Sequence, residues 1–225
     1  MITEVACQGA DLCQELSGST DTSFTRVYEG DPPSRRIFST SRFEVLADMS
    51  PLVVGHLLVL PKQHHLSFAR LIADDHTELR SLLAWLVPRY AATFAPPLVL
   101  EHGSTEEMGR QACITHAHWH VFPLSGDAVD DALGSAGLPY LDLAGLDELG
   151  HEPWPSHSYY FRLYRDRARV YLPAETNPRQ YLRSIVGSIL EIEDPEWDYS
   201  LVTRKDQLRL TLRMTASWTA SRIET

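Results

Sequence analysis

Three histidines at alternate positions, His116, His118 and His120, stand in the run His116-Ala-His118-Trp-His120-Val-Phe-Pro123. On an extended strand, alternate side chains share a face at a spacing of about 6–7 Å. The three imidazoles then form a row, and Ala117, Trp119 and Val121 turn to the other side. Burying such a row without partners costs free energy, which argues for a chemical use. Two chemistries fit. The ring nitrogens could bind a divalent metal that activates water. Alternatively, one imidazole attacks phosphorus while its neighbours hold the phosphate and assist the leaving group. A nearby carboxylate would favour the metal, and 114–123 contains none. Both chemistries stay open on these residues alone, and an imidazole suits the second because it is largely neutral near pH 7 without special tuning.

To hold that row in place, the chain must supply strands and something to cover them. The spacing predicts a lead-in arm over 1–40 ending in a short strand near 36–39. Two antiparallel strands follow, at 43–48 and 56–60, around a Met49-Ser-Pro51 turn. Leu71, Ile72, Leu79, Leu82, Leu83, Leu86 and Tyr90 recur at helical spacing and predict one amphipathic helix over 68–94, with Pro88 as a kink or early stop. Strands at 98–101 and 112–124 complete a 41–124 core. The segment 125–158, rich in Gly, Asp and Pro, reads as a surface insertion with one short helix near 142–149. A hairpin around Asp166 and a helix capped by Asn177 with Pro178 at its first position fill out 125–199. The tail 200–225 is undecided between strand, helix and disorder. Together these elements predict an α+β fold, an antiparallel sheet of about five strands with a long packed helix and an added C-terminal helix.

The histidine run resembles the signature of the histidine triad (HIT) family, His-φ-His-φ-His-φ-φ. Upstream, Asp48-Met-Ser-Pro51-Leu-Val-Val-Gly55-His56-Leu-Leu-Val-Leu-Pro61-Lys62-Gln-His64 is similar to that family's strand–turn–strand ending in Gly-His-φ-φ-φ-φ-Pro-Lys. A weaker similarity to some bacterial HIT-like proteins runs from Asn177-Pro-Arg-Gln180-Tyr-Leu-Arg183 to Trp197-Asp198. The resemblance implies a nucleotide hydrolase with His118 as the nucleophile. That residue would attack the α-phosphate to give a nucleotidyl-imidazole, which water then cleaves to release a nucleoside monophosphate. It implies that His56 and His120 contact the phosphate oxygens and leaving group, and that His116 positions His118. Asp48 would take the ribose hydroxyls, with Val45 and Leu46 flanking the base; without a ligand, Asp48 reads as a turn residue before Ser-Pro.

Within the family, His at the third triad position points to phosphoramidate or dinucleoside polyphosphate hydrolysis, and Gln there to nucleotidyltransferases and phosphorylases, which remain the alternative. A metal-dependent hydrolase and a non-catalytic nucleotide-binding protein are the alternatives from other classes. The family's polar run before the triad is replaced here by Gln111-Ala-Cys113, leaving Ser104 or Arg110 to contact phosphate. Glu101, a negative charge that would repel phosphate, is not placed in the site. Relatives are commonly homodimers through the long helix and an edge strand.

No cofactor is required by this chemistry. Cys7 and Cys13 with His64 and His116 are similar to a structural zinc site of relatives, although five residues separate the cysteines where those relatives have two. Cys113 reads as a small buried residue. The net charge of −10 argues against binding nucleic acid backbone, which needs a basic surface. With 44% hydrophobic and 22% charged residues the composition is that of a globular chain. No apolar run is long enough for a membrane span, and three cysteines make no disulfide framework, so a cytoplasmic protein is expected.

Overall fold

The computed structural model describes residues 11–105, 116–174, 177–178, 180–192 and 204–220. Cys7, Arg110, Gln111, Cys113, the strand expected from 112 to 115, and Trp197-Asp198 lie outside them. The architecture is α+β, and among the described residues the sheet has eight antiparallel strands instead of about five. In chain order these are β1 (Arg36–Ser39), β2 (Phe43–Ala47), β3 (Leu57–Pro61), β4 (Leu98–Gly103), β5 (Trp119–Phe122), β6 (Tyr140–Leu143), β7 (Tyr159–Tyr164) and β8 (Arg167–Tyr171). Across the sheet they run β1-β2-β3-β5-β4-β7-β8-β6. The helices are α1 (Asp11–Leu16), α2 (Ser23–Tyr28), α3 (Phe68–Asp74), α4 (Thr77–Thr93), α5 (Gly126–Ser135), α6 (Tyr181–Ile189) and α7 (Lys205–Thr215).

Alternation along the strands divides the core. Val45, Leu57, Val59, Val99, Trp119, Val121, Phe161 and Val170 face one side, where Phe68, Leu71 and Ile72 of α3 and Leu79, Leu82, Trp85, Leu86 and Tyr90 of α4 bury them. On the other side two smaller apolar clusters stand apart. In one, Leu12 of α1 packs with Leu46, Leu58 and Leu60. In the other, Val129 and Leu133 of α5 and Leu182 and Val186 of α6 cover Leu98, Leu100, Phe122, Tyr160, Tyr164 and Tyr171.

Several expected elements take a different form. The single helix over 68–94 is two, broken where Asp75 is extended (φ −167°) and its Oδ1 accepts the Thr77 N–H at 3.0 Å. That side-chain bond gives the backbone an alternative to helix. Pro88 neither kinks the element to an end nor stops it; α4 runs through it, because the buried stripe from Leu79 to Tyr90 outweighs one lost backbone bond. The lead-in arm is packed, with Leu12, Phe24 and Tyr28 buried.

The segment 125–158 is not a surface insertion: Val129, Leu133, Leu149 and Trp154 are buried, and it supplies both α5 and the edge strand β6. The helix expected near 142–149 is the end of β6 followed by a 3₁₀ turn over Leu146–Gly150. Arg165 and Asp166 both have positive φ, 48° and 62°, which matches the right-handed twist of the β7–β8 hairpin. Asn177 does not cap the following helix; its Oδ1 accepts from Ala174 N at 2.5 Å, and α6 starts after Gln180. Of the tail, 205–215 is helix α7, held by buried Leu208, Thr211 and Thr215. Among the described residues no helix is long and apolar enough to cross a membrane.

Candidate active site

The gap between the two smaller clusters is where the histidines emerge. β3 and β5 pair with Leu58 opposite His120, so His56, just before β3, and His120 share a face with Leu58 and Phe122. The loop before His56 is pinned from both sides. Gly55 donates its N–H to Thr211 Oγ1 of α7 at 2.9 Å, and its carbonyl accepts the Tyr90 hydroxyl at 2.6 Å. Gly55 sits at φ +90°, and a Cβ there would lie 2.9 Å from the Phe94 ring, so this approach needs glycine.

Hydrogen bonds fix the tautomers of four imidazoles in turn. The Leu52 N–H donates to His56 Nδ1 at 3.3 Å, which puts the His56 proton on Nε2. That N–H donates to His120 Nδ1 at 2.9 Å, so the neutral His120 ring carries its proton on Nε2. His118 Nδ1 lies 2.8 Å from the His116 carbonyl and can only donate to it, leaving a lone pair on Nε2. His116 Nε2 donates to the Pro61 carbonyl at 2.7 Å, leaving its Nδ1 as an acceptor. The His118 and His120 rings meet edge to face at 4.8 Å between centroids.

Burial keeps these rings uncharged. It brings the His56 pKa down to about 3, against the pull of Asp48 in the other direction. His116 is brought by burial to about 4, although the bond to the Pro61 carbonyl favours its charged form. Burial likewise lowers His118, opposed by the His116 carbonyl, and lowers His120 well below the usual value, assisted by the neighbouring histidines and Arg183. His118 is half-buried, whereas His120 is 7% exposed and His56 fully enclosed.

Asp48, expected to face ribose hydroxyls, instead turns inward with 0% exposure. Its Oδ1 accepts the Ser50 N–H at 2.7 Å, and its Oδ2 lies 3.4 Å from His56 Nε2 and 3.8 Å from His120 Nδ1. The fourth partner is one that sequence reasoning missed as a site residue: Arg183 of α6, 4% exposed, reaches Asp48 Oδ2 at 3.4 Å and donates to the Ser50 carbonyl at 2.7 Å. Burial alone would raise the Asp48 carboxyl, yet its pKa is held below the ordinary range by His56, Arg183, Arg35 and the Ser50 amide. Since His56 is neutral at pH 7, the two arginines are the charges that keep Asp48 ionised there. Asp48 thus sits behind the imidazole pair as the group that orients it. A similarity in the stretch containing Arg183 was visible in sequence, but its contact spans 135 positions.

Leu46 lies on the histidine side under Leu12, whereas Val45 lies on the opposite face of the sheet and cannot flank the same ligand. Glu101 is also on that opposite face, where its carboxylate accepts from Trp119 Nε1, Tyr159 and the Phe68 amide. Ser104, just past β4, is 5% exposed.

Beside the row, Cys13 Sγ lies 3.1 Å from His116 Nδ1 and 3.3 Å from His64 Nδ1. One ligand atom from each falls within 4.8 Å of the others. A thiol and two imidazole nitrogens at these separations suit tetrahedral zinc. Asp48, His56 and His120 form a second such group, but the His56 Nε2 to His120 Nδ1 contact already occupies the facing nitrogens.

No family model and no curated protein matches the chain. Several solved structures to which it is similar are histidine triad proteins. One is a HIT family protein from Bacillus anthracis, 20% identical, covering 54% of this chain and 77% of that one at a TM-score of 0.36. Another is a zinc-bound histidine triad family protein from Mycobacterium smegmatis, 24% identical over 48% of this chain and 77% of that one, at 0.31. A third is a Hit-like protein involved in cell-cycle regulation from Bartonella henselae, 16% identical over 48% and 82%, at 0.35.

Proposed function

We propose that this protein is a histidine triad enzyme that cleaves a nucleotide at its α-phosphate through a covalent intermediate on His118. The observation that carries this is the direction of the hydrogen bonds. The His116 carbonyl takes the His118 Nδ1 proton and leaves Nε2 as an unprotonated nucleophile, next to an Nε2–H on His120. In the first step His118 Nε2 forms a bond to the α-phosphorus as the bond to the leaving oxygen or nitrogen breaks. The neutral His120 keeps its Nε2–H and donates a hydrogen bond from it to the departing atom, which takes its proton from solvent. In the second step water attacks phosphorus, the bond to His118 breaks and returns that ring to its neutral form, and the proton of the attacking water passes to solvent, which balances the proton taken up by the leaving group. As His118 is phosphorylated its ring becomes cationic, and the His116 carbonyl stabilises the Nδ1–H that remains. Asp48, held ionised by Arg183 and Arg35, fixes His56 and through it His120.

Substrates of this chemistry are nucleoside 5′-phosphoramidates and dinucleoside polyphosphates, and the product is a nucleoside monophosphate. Transfer to phosphate or to a second nucleotide is the same first step with another acceptor. A zinc ion on Cys13, His64 and His116 would be structural, fixing the first triad residue and hence the carbonyl on which His118 leans. The zinc-bound relative from Mycobacterium smegmatis is in keeping with that assignment.

The test is release of nucleoside monophosphate from both substrate types by wild type and His118→Ala with EDTA present. It is paired with mass spectrometry of acid-quenched protein for a nucleotidyl adduct on His118. Release and adduct in wild type alone are expected. Equal release by the variant, or release abolished by EDTA and restored by Zn²⁺ without an adduct, refutes the covalent route. Nucleotide affinity with no product from either substrate marks a binding protein.

A further inference from the structure

A fifth imidazole on the same face of the sheet has no part in the steps above. His102 lies near the end of β4, where β4 and β5 pair with Leu98 opposite Phe122 and Leu100 opposite His120. One further two-residue step along this register brings His102 opposite His118. The alternation that sends Val99 to the far face leaves Leu98, Leu100 and His102 on the histidine side.

The ring of His102 rests edge-on against Tyr160, with centroids 5.0 Å apart. Its Nε2 is shielded from solvent and has no hydrogen-bond partner among the described residues. A buried polar atom left this way costs about 1–3 kcal/mol, whereas an apolar ring would sit against Tyr160 at no such cost. Burial, and next the nearby His118, hold its pKa down to about 4, so the ring carries one N–H and one lone pair at neutral pH.

We propose that His102 is a phosphoryl-binding residue of this site, donating from Nε2 to a nonbridging oxygen of the α-phosphate while that group stands against His118. In-line attack sends the leaving group away from the His118 ring. A residue beside the nucleophile on the neighbouring strand therefore meets the equatorial oxygens and not the departing atom. His120 flanks His118 along its own strand, and His102 flanks it across the sheet. The inference rests on the covalent α-phosphate reading and adds to it the group that holds the phosphate while His118 attacks.

Three proteins decide it: wild type, His102→Phe, which keeps a ring on Tyr160 without a nitrogen, and His102→Gln, which restores a donor. For nucleoside monophosphate release, the Phe variant is expected to lose about 10²-fold in kcat/KM and the Gln variant to recover most of it, while the melting temperature of the Phe variant, which has no unpartnered nitrogen, is no lower than that of wild type. In parallel, calorimetry with adenosine and adenosine 5′-monophosphate reads the affinity added by the phosphate alone, which should shrink in Phe and return in Gln. A Phe variant that reacts and binds like wild type overturns the proposal. So does a Gln variant as impaired as Phe in both measurements. If wild type cleaves neither substrate, the covalent reading fails by itself, and the monophosphate titration still decides whether His102 holds phosphate.

Discussion

Replacing Glu101 by Gln should change how stability depends on pH, and the size of that change follows from the geometry of one carboxylate. Glu101 is 1% exposed. Its Oε1 accepts the Phe68 N–H at 2.7 Å, and its Oε2 accepts Trp119 Nε1–H at 3.0 Å and the Tyr159 hydroxyl at 2.9 Å. All three donors are neutral. Burial pushes the carboxyl up to about 7, and the three hydrogen bonds pull it only part of the way back.

The folded pKa thus lies above the unfolded value of 4.5. The native state holds this proton more tightly than the unfolded chain does. Its contribution to stability is full below pH 4.5 and is lost as pH rises towards 7. At 1.36 kcal/mol per pKa unit, the change is about 3 kcal/mol across that window. Gln does not titrate, and it sets an NH₂ against one of the donors, a cost of about 1–3 kcal/mol that is independent of pH. Urea denaturation of wild type and Glu101→Gln from pH 4.5 to 8 reads the difference directly. The wild-type advantage should shrink by about 3 kcal/mol as pH rises. A difference that stays flat over the range would show that Glu101 does not titrate there, and the argument from its uncharged donors would fail.

Arg183→Met should cost about 3–5 kcal/mol in denaturant unfolding, because Asp48 would remain buried without its nearest guanidinium. It should also raise the pH at which the protein unfolds in acid. Asp48 contributes stability above its unfolded pKa and loses it as pH falls through its depressed folded value, which Arg183 helps to depress. Circular dichroism along an acid titration checks this, and an unshifted acid transition would remove Arg183 from the role. Cys13→Ser should lower the zinc content of purified protein by atomic absorption to a small fraction of wild type, together with a lower melting temperature. Equal zinc in both would place the metal elsewhere or nowhere.

Much of this site could be read from residue types alone, for a reason visible in the strands. Period-two alternation holds through β2, β3 and β5, so the side on which His120 stands follows from that of Trp119 and Val121. The same rule, had it been applied to β2, would have set Val45 apart from Leu46. What alternation cannot supply is the identity of a partner distant in the chain. Asp48 before Ser-Pro suits a ribose ligand or a turn until Arg183 arrives from α6 and turns its carboxylate inward. The break at Asp75 was hidden because the apolar spacing continues on both sides of it, and a side-chain bond to Thr77 leaves no mark on that periodicity. The segment 125–158 was misjudged by its glycines and aspartates; Val129, Leu133, Leu149 and Trp154 are too widely spaced to show a period, yet each finds a buried place. His102 could have been found by carrying the alternation of β4 two residues past Leu100.

The pairing of β7 with β4 bears on assembly as well as on the core. The strand carrying His120 lies deep within the sheet, and among the described residues its margins are β1 on one side and β6 on the other. Tyr140 and Leu141 of β6, with Leu172 just beyond β8, leave apolar surface exposed along the second margin. A twofold copy that extended the sheet there would meet β6, four strand spacings from β5, or about 19 Å. Each subunit of such a pair would keep a separate set of histidines, and association would change stability and solubility without lending a side chain to the neighbour's chemistry.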